Sequence, residues 1–199
     1  MHDTTHLSRI NRSSQAASFS GVAAVVASML LGLATLSVHA QAPAKVDPLA
    51  TLSRFVGSWS GTASGQPGDG TVARTYGSSL QGRYLQESNV SRYPSRDVSK
   101  PDEVHEHLSM FSYDKARKLI VLRQFHVEGF VNTYRQVSPP DTLPLVFESE
   151  SFENLSSAWK ARETYEFSGD DEFVETFELA PPGKPYEVYS RNRLKRLPR

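Results

Sequence analysis

The chain has 199 residues, 22 basic and 22 acidic side chains, and no cysteine. The balanced charge excludes the strongly basic surface that is typical of a nucleic-acid-binding protein. The lack of cysteine excludes disulfides and a thiol nucleophile, so the fold must be stabilised by apolar burial and by backbone hydrogen bonds.

The first 40 residues have the pattern of a secretory signal peptide. Arg9 and Arg12 form a positive N-terminal region, residues 21–38 are apolar and uncharged, and a small-residue cleavage motif ends at Ala40. A retained membrane anchor is the alternative, because about 18 to 20 apolar residues span a bilayer. The glycine, alanine, serine and threonine content makes this segment weakly hydrophobic. We therefore expect cleavage near Ala40, a periplasmic or secreted mature protein, and no integral membrane segment after cleavage.

The remainder of the chain is interpreted as a linker, residues 41–50, and one domain, residues 51–196. Without the leader the chain has 20 basic and 21 acidic residues, a formal charge of −1. At the end of the linker, Asp47 and Pro48 predict the N-cap and the first position of a short helix that continues to Phe55.

After this helix the chain consists of short runs rich in aromatic and β-branched residues, separated by clusters of Gly, Pro, Asp, Asn and Ser. Consecutive short strands joined by tight turns favour a single antiparallel up-and-down β-barrel, because closure removes the exposed sheet edges. A two-sheet sandwich is the alternative. The ten predicted strands cover residues 57–62, 71–78, 83–93, 104–113, 118–127, 130–137, 145–151, 159–167, 172–179 and 186–194.

Two acidic residues lie on the apolar face of late strands. Glu163 alternates in phase with Trp159 and Tyr165, and Glu175 shares a face with phenylalanines of the next strand. Because burial of an unpaired carboxylate costs roughly several kcal/mol, each should have a partner or a raised pKa. The two carboxyl groups could act as acid and base, or they could form a structural network with Arg123 or with backbone donors.

The three histidines that follow the leader lie on one predicted hairpin. A tight turn would place His107 opposite Gln124 and His105 opposite His126, with all four side chains on one face. Arg123 lies on the other face. A one-residue bulge would invert the two faces, so the sequence predicts a cavity that contains either the histidines or Arg123.

His105 and His107 form an H-x-H pair whose side chains lie on one face of a strand, about 7 Å apart at the backbone. With His126 as a third ligand they could hold zinc or iron and leave one position open for water. The alternative is a pair of surface histidines beside Glu106.

The segment FVGSWSG, residues 55–61, resembles the opening Gly-x-Trp-x-Gly strand of calycin-like barrels, the group that contains lipocalins, fatty-acid-binding proteins and nitrobindin. Within this motif Trp59 could stack on a ligand or belong to the core. Further segments are similar, in order and spacing, to a bacterial secreted lipocalin-like family of unknown function. These segments are GRYL (82–85), FSYD (111–114), RETY (162–165) and DEFV (171–174). The resemblance implies a barrel of about ten strands.

Nitrobindin-like members of this group bind heme through a histidine near the C-terminus. This chain has no histidine after His126, so the resemblance implies heme only through an unusual use of His105, His107 or His126.

These observations predict an exported barrel that binds a small, partly apolar molecule in an aromatic cavity with a few ionisable groups. The alternatives are a hydrolase or isomerase that uses the three histidines and Glu163, with or without a metal, and a non-catalytic structural or interaction protein. The sequence leaves the oligomeric state open. The cavity candidates are Trp59, His105, His107, Arg123, Gln124, His126, Trp159, Glu163, Tyr165 and Glu175.

Overall fold

A computed structural model describes residues 47–97, 99–155 and 158–198. In it, ten antiparallel strands follow one short helix and close into a barrel, each strand pairing with its sequence neighbours and β1 with β10. The strands are β1 (Gly57–Gly65), β2 (Gly70–Ser79), β3 (Tyr84–Tyr93), β4 (Glu103–Asp114), β5 (Leu119–His126), β6 (Val131–Gln136), β7 (Leu145–Glu153), β8 (Lys160–Phe167), β9 (Glu172–Ala180) and β10 (Glu187–Arg196). The predicted barrel is confirmed, and the sandwich is excluded. The predicted signal peptide lies outside the described residues.

The helix before the barrel is a 3₁₀ helix, Ala50–Phe55. The predicted helix start is therefore wrong. The Asp47 carboxylate accepts a hydrogen bond from the Leu49 amide (3.0 Å), and its carbonyl accepts one from the Ala50 amide (3.1 Å). Asp47 thus forms a turn ahead of the helix instead of capping it. Among the residues that the structure describes, no helix is long and apolar enough to cross a bilayer.

Aromatic side chains fill the part of the barrel next to this helix. Phe55 lies at their centre, with its ring centroid 4.9 Å from Tyr76, 5.2 Å from Phe173 and 5.3 Å from Tyr165. All four side chains are buried. The contacts of Phe55 with Phe173 and Tyr165 are edge-to-face and that with Tyr76 is tilted. Such aromatic contacts add to the stabilisation from apolar burial, so this end of the barrel is closed by a packed core.

Trp59 belongs to the same core and is 1 % exposed. Its indole Nε1 donates a hydrogen bond to the Phe55 carbonyl (2.7 Å), and the Arg196 guanidinium lies 4.2 Å from the ring centroid. The guanidinium also donates to the carbonyls of Val56 and Arg54, both at 2.7 Å. Of the two interpretations of Trp59, the structure selects the core, where the residue joins the helix to the last strand.

The hairpin of β4 and β5 places His107 opposite His126, whereas the sequence predicted Gln124 as its partner. This predicted register is wrong by two residues because the turn is longer than expected. The Lys118 amide donates to the Asp114 carbonyl (2.8 Å), and Lys118 adopts a left-handed backbone conformation (φ 57°). Since side-chain direction repeats every two residues, the histidines still share one face.

Candidate functional site

The barrel interior beyond the aromatic core contains a cavity of about 400 Å³. Aromatic side chains from β3, β6, β7, β9 and β10 line it together with polar and ionisable side chains. Both the volume and the mixed lining are in the range of sites that hold small organic molecules.

Seven of the ten predicted cavity residues line this space, and three do not. Trp59 and Tyr165 are buried in the core instead, and Arg123 is exposed on the outer face of β5, where its Nη1 donates to the Ser112 hydroxyl (3.2 Å). The alternative in which Arg123 neutralises the inner carboxylates is therefore wrong. The seven that line the cavity are His105, His107, Gln124, His126, Trp159, Glu163 and Glu175.

The inner cation is Arg74 on β2, a residue that the sequence analysis missed. Its Nη2 forms a hydrogen-bonded ion pair with Glu175, and its Nε lies 3.2 Å from Glu87 Oε1. The same Nε donates to Asn89 Oδ1 (2.8 Å), and Nη1 donates to the Tyr76 hydroxyl (3.3 Å). Every nitrogen of the guanidinium therefore has a partner within the barrel wall.

The sequence did contain a signal for Arg74. Val72, Arg74 and Tyr76 alternate in β2 and are all buried, in the same way that Glu163 alternates with apolar residues in β8. An arginine on the apolar face of a strand is as informative as a glutamate on such a face, because a buried charge requires a partner.

Glu87 on β3 is fully buried beside Arg74. Burial, the largest single effect, raises the pKa of this carboxyl, but Arg74, His107 and Ser109 together outweigh it and lower the pKa to about 2. The Nε2 atom of His107 lies 3.4 Å from Glu87 Oε1. Glu87 is therefore an ionised carboxylate at neutral pH.

Glu163 on β8 is 3 % exposed and accepts a hydrogen bond from the Tyr165 hydroxyl (2.6 Å). Burial and the nearby Glu175 raise the pKa of Glu163 to about 8, against smaller lowering effects of the Tyr165 hydrogen bond and of Arg74. At neutral pH the side chain is thus mainly a carboxylic acid, which can donate a proton or a hydrogen bond.

The histidines differ in their surroundings. Burial and the proximity of His107 lower the pKa of His126 to about 4, so its ring is neutral at pH 7, where it stacks on Phe130 with the centroids 4.1 Å apart. His105 is more exposed, with one ring nitrogen 2.7 Å from Glu128 and the other 2.7 Å from Glu103. Burial lowers the pKa of His105, but these two carboxylates more than compensate and raise it.

Polar partners already occupy several ring nitrogens of the three histidines. Within the described ranges, no three His, Cys, Asp or Glu residues are arranged to hold a metal ion. Both nitrogens of His105 contact carboxylates, and the Nε2 atoms of His107 and His126 lie against Glu87 (3.4 Å) and the Asn132 amide (3.3 Å). An axial ligand of heme needs a free ring nitrogen, so His105, with both nitrogens occupied, does not fit heme. Heme at His107 or His126 stays a prediction from the sequence. The zinc or iron site stays a prediction from the sequence.

Comparison with known proteins supports the fold and leaves the family open. No protein-family profile matches the chain, and no curated protein matches it. The crystal structure of Rv2717c from M. tuberculosis is similar, with a TM-score of 0.58 and 16 % sequence identity, over 77 % of this chain and 99 % of Rv2717c. At this identity the likeness concerns the fold alone. The chain is a closed ten-stranded antiparallel barrel, consistent with the calycin-like architecture that the sequence resemblance implied.

Proposed function

We propose that the protein is an exported β-barrel that binds a small, partly apolar molecule inside the barrel. The cavity of about 400 Å³ carries this proposal. Protein interiors are normally packed without voids of this size, and a barrel with a purely structural role would gain stability from a filled interior. The signal-peptide pattern of residues 1–40 supports a location outside the cytoplasm.

The cavity lining combines exposed apolar side chains with buried carboxyl groups, as a site for a partly apolar molecule requires. Trp159 and Leu155 are 46 % and 44 % exposed and line the cavity together with Phe152. Glu163 and Glu175 also line it but are almost fully buried. An apolar body could therefore contact the exposed part of the lining while a polar group reaches the buried part.

Titration with the uncharged fluorescent probe N-phenylnaphthylamine tests this proposal. Ala161 on β8 lines the cavity and is buried, so Ala161→Phe should fill part of it. Thr164→Phe on the outer face of the same strand is the matched control. We expect saturable binding to the wild type and the control, and binding to Ala161→Phe that is weaker by about tenfold or more. Failure of the wild type to bind, or equal binding by Ala161→Phe with its circular dichroism unchanged, would contradict the proposal.

A second candidate function, proton-transfer catalysis of the isomerase type, is favoured by one observation. Glu163 lines the cavity and has a pKa raised to about 8, which suits a general acid or base near neutral pH. Deuterium uptake from D₂O into the α-carbons of small ketones would test it. Uptake catalysed by the wild type and lost in Glu163→Gln would support catalysis, and uptake no faster than in buffer would exclude it for those ketones.

A further inference from the structure

Two buried hydrogen-bond acceptors in the cavity lining have no donor in the part of the chain that the structure describes. Asn192 on β10 donates through Nδ2 to Glu175 Oε2 (2.9 Å), and Asn132 on β6 directs its Nδ2 to His126 Nε2 (3.3 Å) and the Tyr134 hydroxyl (3.2 Å). Both asparagines line the cavity and are more than nine-tenths buried, yet the Oδ1 atom of each has no hydrogen-bond partner among the described residues. Because an unsatisfied buried acceptor is unfavourable, a ligand that supplies donors would be stabilised here.

The charges of this region favour a positive group. The guanidinium of Arg74 contacts the carboxyl groups of Glu87 and Glu175, and Glu163 is a third buried carboxyl group that interacts electrostatically with all three. In the described part of the chain, Arg74 is the only arginine or lysine that lines the cavity. Because acidic groups outnumber basic ones here, a negatively charged ligand would be repelled and a cationic ligand attracted.

In the described part of the chain, a ligand carboxylate beside Glu163 and Glu175 would find no arginine or lysine available to pair with it. The guanidinium nitrogens of Arg74 already contact Glu87, Glu175, Asn89 and Tyr76. A fatty-acid carboxylate in the buried part of the cavity would therefore lie beside the carboxyl groups of Glu163 and Glu175 without a charged partner of its own.

The aromatic walls of the cavity suit the apolar body of an organic cation. Tyr93, Phe177, Tyr189 and Trp159 line the cavity, and aromatic faces attract ammonium groups as well as apolar surface. We infer that the cavity binds an organic cation, an ammonium group on an aromatic or aliphatic body. The ammonium donates to the carboxyl oxygens of Glu163 and Glu175 and to Asn192 Oδ1. This inference rests on the proposed function, because it requires that the cavity bind a small molecule.

Binding of an ammonium group should release a proton from the protein. The positive charge favours the carboxylate form of Glu163 over the acid form, so the affinity should rise with pH from neutrality to about 8 while the amine stays protonated. His107 and His126 also line the cavity. The groups that act electrostatically on Glu163 are Glu175 on β9, Tyr165 on β8, Glu87 on β3, Arg74 on β2 and Tyr134 on β6.

The test compares three ligands that share one indole body: tryptamine, which is cationic, tryptophol, which is neutral, and indoleacetate, which is anionic. Each is titrated by isothermal calorimetry, alongside N-phenylnaphthylamine as the uncharged probe. We expect tryptamine to bind about tenfold or more tightly than tryptophol, and indoleacetate to bind most weakly. If the probe binds but tryptamine shows no preference over tryptophol or indoleacetate, the inference is overturned and the proposed function stands. If neither the probe nor any of the three ligands binds, both are overturned.

Two variants of β8 test the role of Glu163 directly. Glu163→Gln keeps the shape of the side chain but removes the ionisable group, whereas Glu166→Gln changes an exposed glutamate on the same strand. We expect Glu163→Gln to lose about tenfold in tryptamine affinity, to lose the rise of affinity with pH, and to keep tryptophol binding. Glu166→Gln should behave as the wild type does. Unchanged tryptamine affinity and pH dependence in Glu163→Gln would overturn the inference.

Discussion

Arg74 on β2 and Glu175 on β9 form a buried ion pair between strands that are not neighbours in the sheet, across 101 positions of sequence. The pair therefore crosses the barrel interior. The ion pair also determines the charge balance near the cavity. Arg74 is paired with Glu175, and two further carboxyl groups, those of Glu87 and Glu163, lie near the pair.

Arg74→Met should lower the free energy of unfolding by about 3–5 kcal/mol, because it leaves the buried carboxylates of Glu87 and Glu175 without a cation. Urea unfolding monitored by circular dichroism measures the loss. Arg123→Met on the exposed face of β5 is the matched control and should change the value by less than about 0.5 kcal/mol.

A triple variant separates the loss of charge balance from a loss of packing. Arg74→Met combined with Glu87→Gln and Glu175→Gln removes the cation and both anions, and it should be more stable than Arg74→Met alone. If Arg74→Met cost no more than Arg123→Met, the ion-pair explanation would be wrong.

The stability should fall as the pH rises from 6.5 to about 8. The folded-state pKa of Glu163 is raised from 4.5 to about 8. The stabilisation from the protonated side chain is therefore fully present below pH 4.5 and is lost as the pH rises to about 8. This loss is at most about 1.4 kcal/mol per pH unit. His105, whose pKa is raised from 6.5, contributes in the same direction.

His126 contributes with the opposite sign, because its pKa is lowered from 6.5 to about 4. The lowered pKa of His126 makes the protein more stable as the pH rises from 4 to 6.5 and has no further effect above pH 6.5. A stability change between pH 6.5 and 8 therefore reports on Glu163 and His105. Urea unfolding across this window should show a shallower decrease in Glu163→Gln, and a shallower one still when His105→Gln is added. An equal slope in Glu163→Gln and the wild type would show that Glu163 does not carry a raised pKa.

Gly61→Ala should destabilise the fold by about 2 kcal/mol or more, because β1 and β10 approach closely at this glycine. A Cβ atom on Gly61 would lie 1.8 Å from the Arg193 carbonyl oxygen. Gly77→Ala on β2 is the control, since a Cβ atom there would meet nothing within 4 Å. A midpoint of thermal unfolding that falls equally in both variants would contradict the close approach.

The barrel could be predicted from the sequence because alternation and turn composition are local properties. All ten strands were found, and the same alternation identified Glu163 and Glu175 as inward-facing. The pairing of His107 with His126 could not be predicted, because it depends on the length of the turn that ends at Lys118. A register error of two residues leaves the histidines on the inner face, whereas an error of one residue would have placed Arg123 on the inner face instead.

The partner of Glu175 could not be predicted, for a different reason. Arg74 is inward-facing by the alternation of β2, but its contact with Glu175 depends on the curvature and closure of the sheet rather than on any local pattern. Asp47 shows the reverse case, in which a local pattern for a helix cap was present but the side chain formed a turn before the helix. Patterns thus predicted which face a residue occupies better than which residue it contacts.

The two tryptophans of the chain provide the most direct test that the cavity is the binding site. Trp159 lines the cavity and is 46 % exposed, whereas Trp59 is 1 % exposed in the core beside the helix. Heteronuclear NMR of their indole N–H signals, assigned with Trp159→Phe, is recorded during titration with N-phenylnaphthylamine. We predict a saturable shift of the Trp159 signal and an unchanged Trp59 signal. A shift of Trp59 alone, or no shift of either signal at concentrations where the probe binds, would contradict ligand binding in this cavity.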